Sequence, residues 1–347
     1  MLDVMIGSPQ RHRTMTLFPL VAPAATDLPY DLLVDALAAG VLSIGEAGQG
    51  RVPTLVAKNA GERDVLVLDG EQLIGARQNR MTNRSILLPA HSETELPVYC
   101  MEQGRWHCSS DAMQPSPQHS PSKVRRRARE AEVRHAAAGG RAGMFVLREE
   151  QGAVWGDVAD TLRAVGGSSD TGSLDAAYTA NARRLARWLK AFHRDDAQVG
   201  LLAFAGDRPL GMDVIGAPRL YERLHDRLLR GYIMDALEQA AAARAGTAGA
   251  GRRGSGSGAD AAAPDVATAQ HYLDAVRGAA RTETASVGRG TYRVLSGAVI
   301  GGELMDDARI AHLSAFPTEQ PRGGRPRPVH DEPVVAPPSR RRRHRGE

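Results

Sequence analysis

Between Asp69 and Trp106 the chain places Glu71, Gln78, Asn79, Arg80, Asn83, Glu102 and Arg105 among the short aliphatic runs VLVL, SILL and LPVYCM. Amides, guanidiniums and carboxylates on a strand scaffold are the materials of a binding or catalytic site. Glu71 and Glu102, each beside a strand-like run, have the chemistry of a general acid/base pair or of carboxylates that grip ribose hydroxyls. The competing reading is that each caps a turn or pairs with Arg77 or Arg105. Gln78, Asn79, Arg80 and Asn83 cluster within six positions. Arg80 can take a phosphate bidentately while the amides and Arg105 orient a polar ligand. A long loop that satisfies its own backbone with those side chains is the alternative, and both readings stand at this level.

Other candidates carry less. His91, Glu93, Glu95, His107 and Cys108 have ligand chemistry, and a His-x-Glu spacing on a strand puts two side chains on one face. No histidine two places on and no more distant partner completes a set, so no metal is expected and His91 reads as a turn residue after Pro89. The chain has no G-x-S-x-G, and Cys100 has no companion histidine at a recognisable spacing, so no nucleophile is indicated. Gly288 and Gly290 lack the strand-to-helix setting of a phosphate loop and read as a hairpin turn. Trp188 and Phe192, four apart, read as helix packing, and Trp106 as core or a stacking surface.

The elements that must position these residues form a strand-rich first third followed by helices and a second strand segment. Strands are expected at Thr14 to Val21, Val41 to Ile44, Pro53 to Ala57 and Val65 to Leu68, with a helix capped by Thr26 and stopped by Gly40. The proline- and serine-rich stretch 109–122 reads as a linker, and Lys123 to Ala138 as a helix polar nearly all round and therefore exposed. Helices follow at 151–165, 174–192 and 265–280. Pro218 to Ala245 is the clearest, with Leu220, Leu224, Leu228, Ile233 and Leu237 inward. Val199 to Phe204 and Pro209 to Ile215 read as a hairpin turning at Gly206 and Asp207. The run 246–263 is a low-complexity insert. Strands at 281–286, 291–300 and 309–316 turn at 288–290 and at Gly301 and Gly302, and a proline- and arginine-rich tail at 317–347 is expected to be disordered. The pattern predicts an α+β fold, β-rich and sandwich- or barrel-like, as a single domain over 14–316 whose β-rich part is 14–106.

Composition sets the outer bounds. With 42% apolar but only 4% aromatic residues, aliphatic side chains must fill the core. The net charge of +4 is concentrated in Arg125 to Arg127 and the RRRRHR run from Arg340, so nucleic-acid binding beyond nonspecific tail contacts is not expected. Two cysteines are too few for a disulfide framework, and Cys100 reads as a buried thiol. No apolar segment has the length of a membrane span and the N-terminus lacks a signal-peptide core, which points to a cytoplasmic protein without a membrane partner.

The run LDGEQLIGARQNRMTNRSILLPAHSETELPVYCMEQGRW, the later VGLLAFAGDRPLGMDVIGAPRLYERLHDRLLRGYIMDAL and the closing GRGTYRVLSGAVIGGELMDDARIAHLSAF resemble the bacterial ARG and rhodanese-phosphatase-superfamily-associated protein family. The resemblance covers roughly Thr14 to Phe316 outside the linkers. The family takes its name from genomic association with ADP-ribosylglycohydrolases and rhodanese-like phosphatases. This implies a role around ADP-ribose, NAD or nucleotide-derived phosphates, and it implies no catalytic residue, reaction or cofactor. The leading expectation is a small-molecule binding protein or enzyme of the nucleotide or ADP-ribose class. Its site would use Glu71 or Glu102 on a ligand held by Gln78, Asn79, Arg80, Asn83 and Arg105. The rival is a noncatalytic interaction or scaffold protein that presents the same polar surface to a protein partner.

Overall fold

The computed structural model describes residues 2–47, 54–105, 107–108, 110, 112–137, 144–249 and 263–318, with backbone alone at 144–149 and 245–249. The first part of the chain carries β1 (Met5–Ile6), β2 (Gln10–His12), β3 (Met15–Val21), β4 (Asp31–Leu32), α1 (Leu33–Ala38), β5 (Leu42–Glu46) and β6 (Thr54–Asn59). It continues through β7 (Val65–Val67), β8 (Glu71–Gly75), β9 (Arg80–Thr82), β10 (Ile86–Leu88), β11 (Ser92–Cys100) and β12 (Met113–His119). Then come α2 (Ser122–Ala137), α3 (Met144–Val165), α4 (Asp175–Ala180), α5 (Ala182–Leu189), β13 (Gln198–Ala205), β14 (Arg208–Ile215), α6 (Pro218–Gly249) and α7 (Val266–Gly278). The last strands are β15 (Ala280–Thr284), β16 (Thr291–Ser296), β17 (Val299–Asp306) and β18 (Arg309–Pro317). The fold is α+β.

A nine-stranded sheet runs β1-β3-β13-β14-β18-β17-β16-β15, with β2 paired to β3. A six-stranded sheet runs β12-β8-β9-β11-β6-β5, and a three-stranded one β10-β7-β4. The middle of the large sheet is apolar along both faces, which a sheet covered on both sides requires. Leu201, Ala203 and Ala205 of β13 enter one core together with α2, α5 and α6 residues such as Val124, Trp188 and Leu228. Val199, Leu202 and Phe204 enter a second core with Tyr272, Leu273 and Val276 of α7. A third, under the smaller sheets, joins Leu33, Leu55, Val67, Leu88 and Val98. Helix α6 opens on Pro218, suited to a first turn whose N–H needs no partner, and buries Leu220, Leu224, Leu228, Ile233 and Leu237. No helix of the described residues is long and apolar enough to cross a membrane.

Several elements differ from the sequence reading. The stretch expected as a linker contributes β12, which among the described residues pairs only with β8 at the edge of its sheet, where Pro115 and Pro117 are tolerated because one side needs no ladder. Helix α2 is not exposed: Arg125, Arg129 and Glu132 are buried along with Val124, Ala128 and Ala131. The helix expected from Thr26 is confined to α1, because Asp31 and Leu32 pair in parallel with β7. The helix expected over 174–192 breaks at Asn181, whose amide donates to Ala177 O and Val165 O. Gly301 and Gly302 lie inside β17 rather than in a turn; a Cβ on Gly302 would stand 2.0 Å from Tyr292 Oη. The insert 246–263 begins as the end of α6; 250–262 and the arginine run of the tail lie outside the described residues, as does Trp106.

Candidate functional site

The residues singled out in the sequence fall into two places. Gln78, Asn79, Arg80, Glu102 and Arg105 meet at the β8–β9 end of the six-stranded sheet. Gln78 Nε2 donates to Glu102 O at 2.8 Å, and Arg80 Nη1 to Gln78 Oε1 at 2.8 Å and Cys100 Sγ at 3.0 Å. Arg80 Nη2 stands 3.6 Å from Glu46, and the side chain is 0% exposed. The Glu102 carboxylate pairs with Arg105 Nη2 at 2.7 Å, a partner weighed for it from the sequence, and accepts from Thr171 Oγ1 at 2.6 Å. Burial pushes its pKa up, but the Arg105 and Thr171 hydrogen bonds prevail and hold it below the ordinary value. Asn79 Oδ1 accepts from Arg105 Nη2 at 3.0 Å. Each residue thus answers another through at least one atom, although Arg80 Nε is buried without a hydrogen-bond partner, and the set clasps a hairpin. Among the described residues Asn83 shares no side-chain hydrogen bond with it. His91 sits in a turn with φ 51° and faces Glu62 at 3.0 Å.

Glu71 belongs to the second place, a buried ionic cluster between the large sheet, α2 and α6. Asp69 follows β7; its carboxylate takes Arg125 Nη2 at 2.8 Å and Ser314 Oγ at 3.1 Å. Arg125 reaches on to Asp213 of β14, Nη1 at 2.9 Å and Nη2 at 2.6 Å, with its guanidinium 5.0 Å above the Phe316 ring. Asp213 also accepts from Tyr232 Oη at 2.6 Å and lies 3.0 Å from His312 Nε2. Burial, the largest influence, pushes both aspartates up, yet Arg125 and the other positive neighbours together outweigh it and their pKa values are lowered. Around this core Glu132 pairs with Arg129 at 2.7 Å and Arg84 at 2.8 Å, and Arg84 stands 4.8 Å over the Tyr292 ring.

Two familiar constellations can be tested here. Ser85 Oγ is 2.5 Å from His312 Nδ1, which with the His312–Asp213 contact makes a serine–histidine–aspartate chain. Its aspartate is already neutralised by Arg125 and its hydroxyl, 4% exposed, also accepts from Asp69 N at 3.0 Å. The chain therefore fixes a proton rather than activating an oxygen. Donor atoms of Asp69, Asp213 and His312 lie within 4.8 Å of one another, a spacing open to a metal. The Arg125 guanidinium already fills the cation's role there, so the residues do not fit a metal centre.

The outer end of the cluster leads toward the surface. Glu71 Oε2 accepts from Leu68 N at 3.0 Å and Oε1 from Arg227 Nη2 of α6 at 3.1 Å. Burial raises the Glu71 pKa against the pull of Arg227. Arg227 is 9% exposed, and beyond it Asp35, also raised by burial, pairs with exposed Arg223, so charge steps outward to the surface. Beside Glu71 is His119 of β12, wholly buried with neither ring nitrogen hydrogen-bonded; burial first, then Arg125, lowers its pKa to about 3. A Cβ at Gly70 would lie 2.6 Å from Arg125 Cδ and 2.8 Å from His119 Cε1, which places the imidazole against the Asp69–Gly70–Glu71 turn. Arg227 Nε, Gln118 Oε1 and Ser120 Oγ are likewise buried without hydrogen-bond partners. The two carboxyls flanking Gly70 thus have pKa values displaced in opposite directions, Asp69 down and Glu71 up.

Residues 3–316 match the ARG and Rhodanese-Phosphatase-superfamily-associated Protein domain. The chain belongs to that family. No curated protein and no solved structure matches it. Every residue of both clusters lies within the matched span, so each is part of what this ARG and rhodanese-phosphatase-superfamily-associated domain folds around, while the arginine run from Arg340 lies beyond it. Sequence reasoning placed Glu71 in the site but missed Arg125, Asp213, His119, Arg227 and His312. A signal existed for three of them. Arg125, Arg129 and Glu132 recur at helical spacing on one face of α2, and Asp213 and His312 interrupt otherwise apolar strands, where a charge has to be answered inside.

Proposed function

We propose that this domain binds a phosphate-bearing small molecule of the nucleotide or ADP-ribose class at the Arg227 end of the buried cluster, with Glu71 as the acid–base group that acts on it. The observation that carries the reading is the Glu71–Arg227 pair. A wholly buried carboxyl with a raised pKa rests on one surface-reaching guanidinium whose Nε lacks a partner. Such a guanidinium is suited to a phosphate. An anion that draws Arg227 away removes Glu71's countercharge, so the carboxyl takes up a proton as the ligand arrives and becomes an acid positioned for use. His119, neutral and unpaired, supplies a donor and an acceptor to the same space. In this reading Gln78, Asn79, Arg80, Glu102 and Arg105 hold the hairpin that presents Glu71, and the association in the family's name supports the ligand class.

Differential scanning fluorimetry of the full chain against NAD, ADP-ribose, ADP-ribose phosphates and nucleotides tests it. A ligand at about 100 times its Kd stabilises by about 2.7 kcal/mol. The shift is expected to vanish in Arg227→Gln and to persist in Glu71→Gln, with calorimetry in two buffers recording proton uptake that Glu71→Gln abolishes. Absence of a shift with every compound overturns the proposal and leaves the scaffold reading.

A further inference from the structure

We infer that the surface formed by the β2–β3 turn, helix α5 and the outer part of α6 is a docking face for the phosphodiester backbone of a nucleic acid. It lies apart from the buried cluster and does not depend on the function proposed above. Helix α5 turns Leu185 and Trp188 inward and leaves Arg183 and Arg187 exposed, with Lys190 exposed just after it. No aspartate or glutamate occurs from residue 176 to residue 194. The β2–β3 turn is fastened onto this helix by His12, whose ring meets Trp188 edge-on at 5.1 Å and Phe192 at 6.4 Å. That contact brings exposed Arg13 to the same face. Arg184 donates to the neutral Asn181 Oδ1 at 3.0 Å. Its charged neighbours are Arg244, Arg187 and Arg13, which join burial in lowering its pKa. Among the described residues no carboxylate pairs with Arg13, Arg183, Arg184, Arg187 or Lys190.

Cations gathered without carboxylates repel one another, and the fold holds them together at that cost; an external polyanion relieves it. Arg183, Arg187 and Lys190, four and then three positions apart, form one stripe about 10 Å long at the helical rise of 1.5 Å per residue. A nucleic-acid strand carries a phosphate about every 3.4 Å along its axis, so the stripe and its flanking arginines span several. The face has nothing to insert into a lipid surface, because the exposed large apolar residues Met5, Val266 and Val287 belong to none of its elements. Trp188 and Phe192, 5% and 4% exposed, are turned inward, so the face offers no stacking platform and reads phosphates rather than bases.

The experiment is a salt titration of fluorescence anisotropy with labelled oligonucleotides, duplex and single-stranded, on the full chain. Three proteins are compared: wild type, the triple variant Arg13→Ser/Arg184→Ser/Arg187→Ser, and a control in which the arginines from Arg340 to Arg345 become serine. The triple variant is expected to bind at least ~10-fold more weakly. Its slope of log K against log salt should be smaller by about 0.9 for each duplex phosphate that is no longer neutralised, that is by about 2.7 for three. The tail control should keep the steep slope. Unchanged binding in the triple variant with loss in the tail control overturns the inference. So does equal binding of anionic vesicles, or displacement of the oligonucleotide by polyglutamate at the same charge concentration. An unaltered urea midpoint shows that the three substitutions leave the fold intact.

Discussion

Replacing Arg125 by methionine removes the guanidinium that bridges Asp69 and Asp213. Methionine keeps the aliphatic stem that packs against Gly70 and loses the guanidinium that lies over the Phe316 ring, so the perturbation is mainly of charge. Taking one partner from a buried ion pair costs about 3–5 kcal/mol, and here a single guanidinium answers two carboxylates, at 2.8 Å and 2.6 Å. A second route gives a similar figure. Without the guanidinium the two carboxylates share one buried space, where only one can stay ionised. The other must take a proton, which from a reference pKa of about 3.9 costs about 4 kcal/mol at pH 7 and about 1.5 kcal/mol at pH 5. The sign of the pH dependence therefore distinguishes the two proteins. In the wild type both aspartates have lowered pKa values, so their contribution is complete above about pH 3.9 and is lost only below it. In the variant a raised carboxyl makes stability fall as pH rises above that value. Urea unfolding followed by tryptophan fluorescence should show a loss of about 4 kcal/mol at pH 7 that shrinks by about 2.5 kcal/mol at pH 5. The triple replacement Asp69→Asn/Arg125→Met/Asp213→Asn should recover most of it. A loss under ~1 kcal/mol at pH 7, or one equal at both pH values, refutes the assignment of Arg125 as the countercharge of both aspartates.

Three further outcomes concern this region and the hairpin beside it. His119, held neutral by burial with a pKa of about 3, makes wild-type stability fall as pH drops below 6.5 toward that value. In His119→Phe this part of the acid slope, about 1.4 kcal/mol per pH unit, should be absent from urea midpoints taken between pH 6.5 and 4. Gly70 has φ +85° and no room for a Cβ, so Gly70→Ala should lower stability by at least ~1–2 kcal/mol and, by moving His119, reduce any ligand-induced thermal shift; an unchanged urea midpoint rules this out. The thiol of Cys100 is buried and pushed up to about 11, whereas Cys108 is exposed. A thiol reagent should therefore modify one equivalent quickly in native protein and the second only on unfolding, and Cys108→Ser should abolish the fast phase.

What the sequence disclosed was what is decided locally. The β13–β14 hairpin, the inward stripe of α6 and the Glu102–Arg105 pair, three positions apart, are settled within a few residues of themselves. The buried cluster was not legible, because a helix as polar as α2 looks solvated until its partners are known. Those partners lie 56 and 88 positions away, and the partner of Glu71 is 156 away. β12 was hidden for a different reason: its prolines argue against a strand everywhere except at an edge, and edge position is a property of the assembled sheet.

The order of strands in the large sheet also has a meaning in time. β14 and β18 are neighbours, and β17, β16 and β15 are joined to the rest of that sheet through β18, which follows them in the chain. Asp69 meets Ser314 across 245 positions. During synthesis, then, β15, β16 and β17 can pair with one another but cannot join the rest of the large sheet, and β14 keeps a bare edge, until β18 leaves the ribosome. The polypeptide cannot commit to its sheet early; maturation waits on its last strand, and the interval before it arrives is when a growing chain is most open to pairing with another copy of itself.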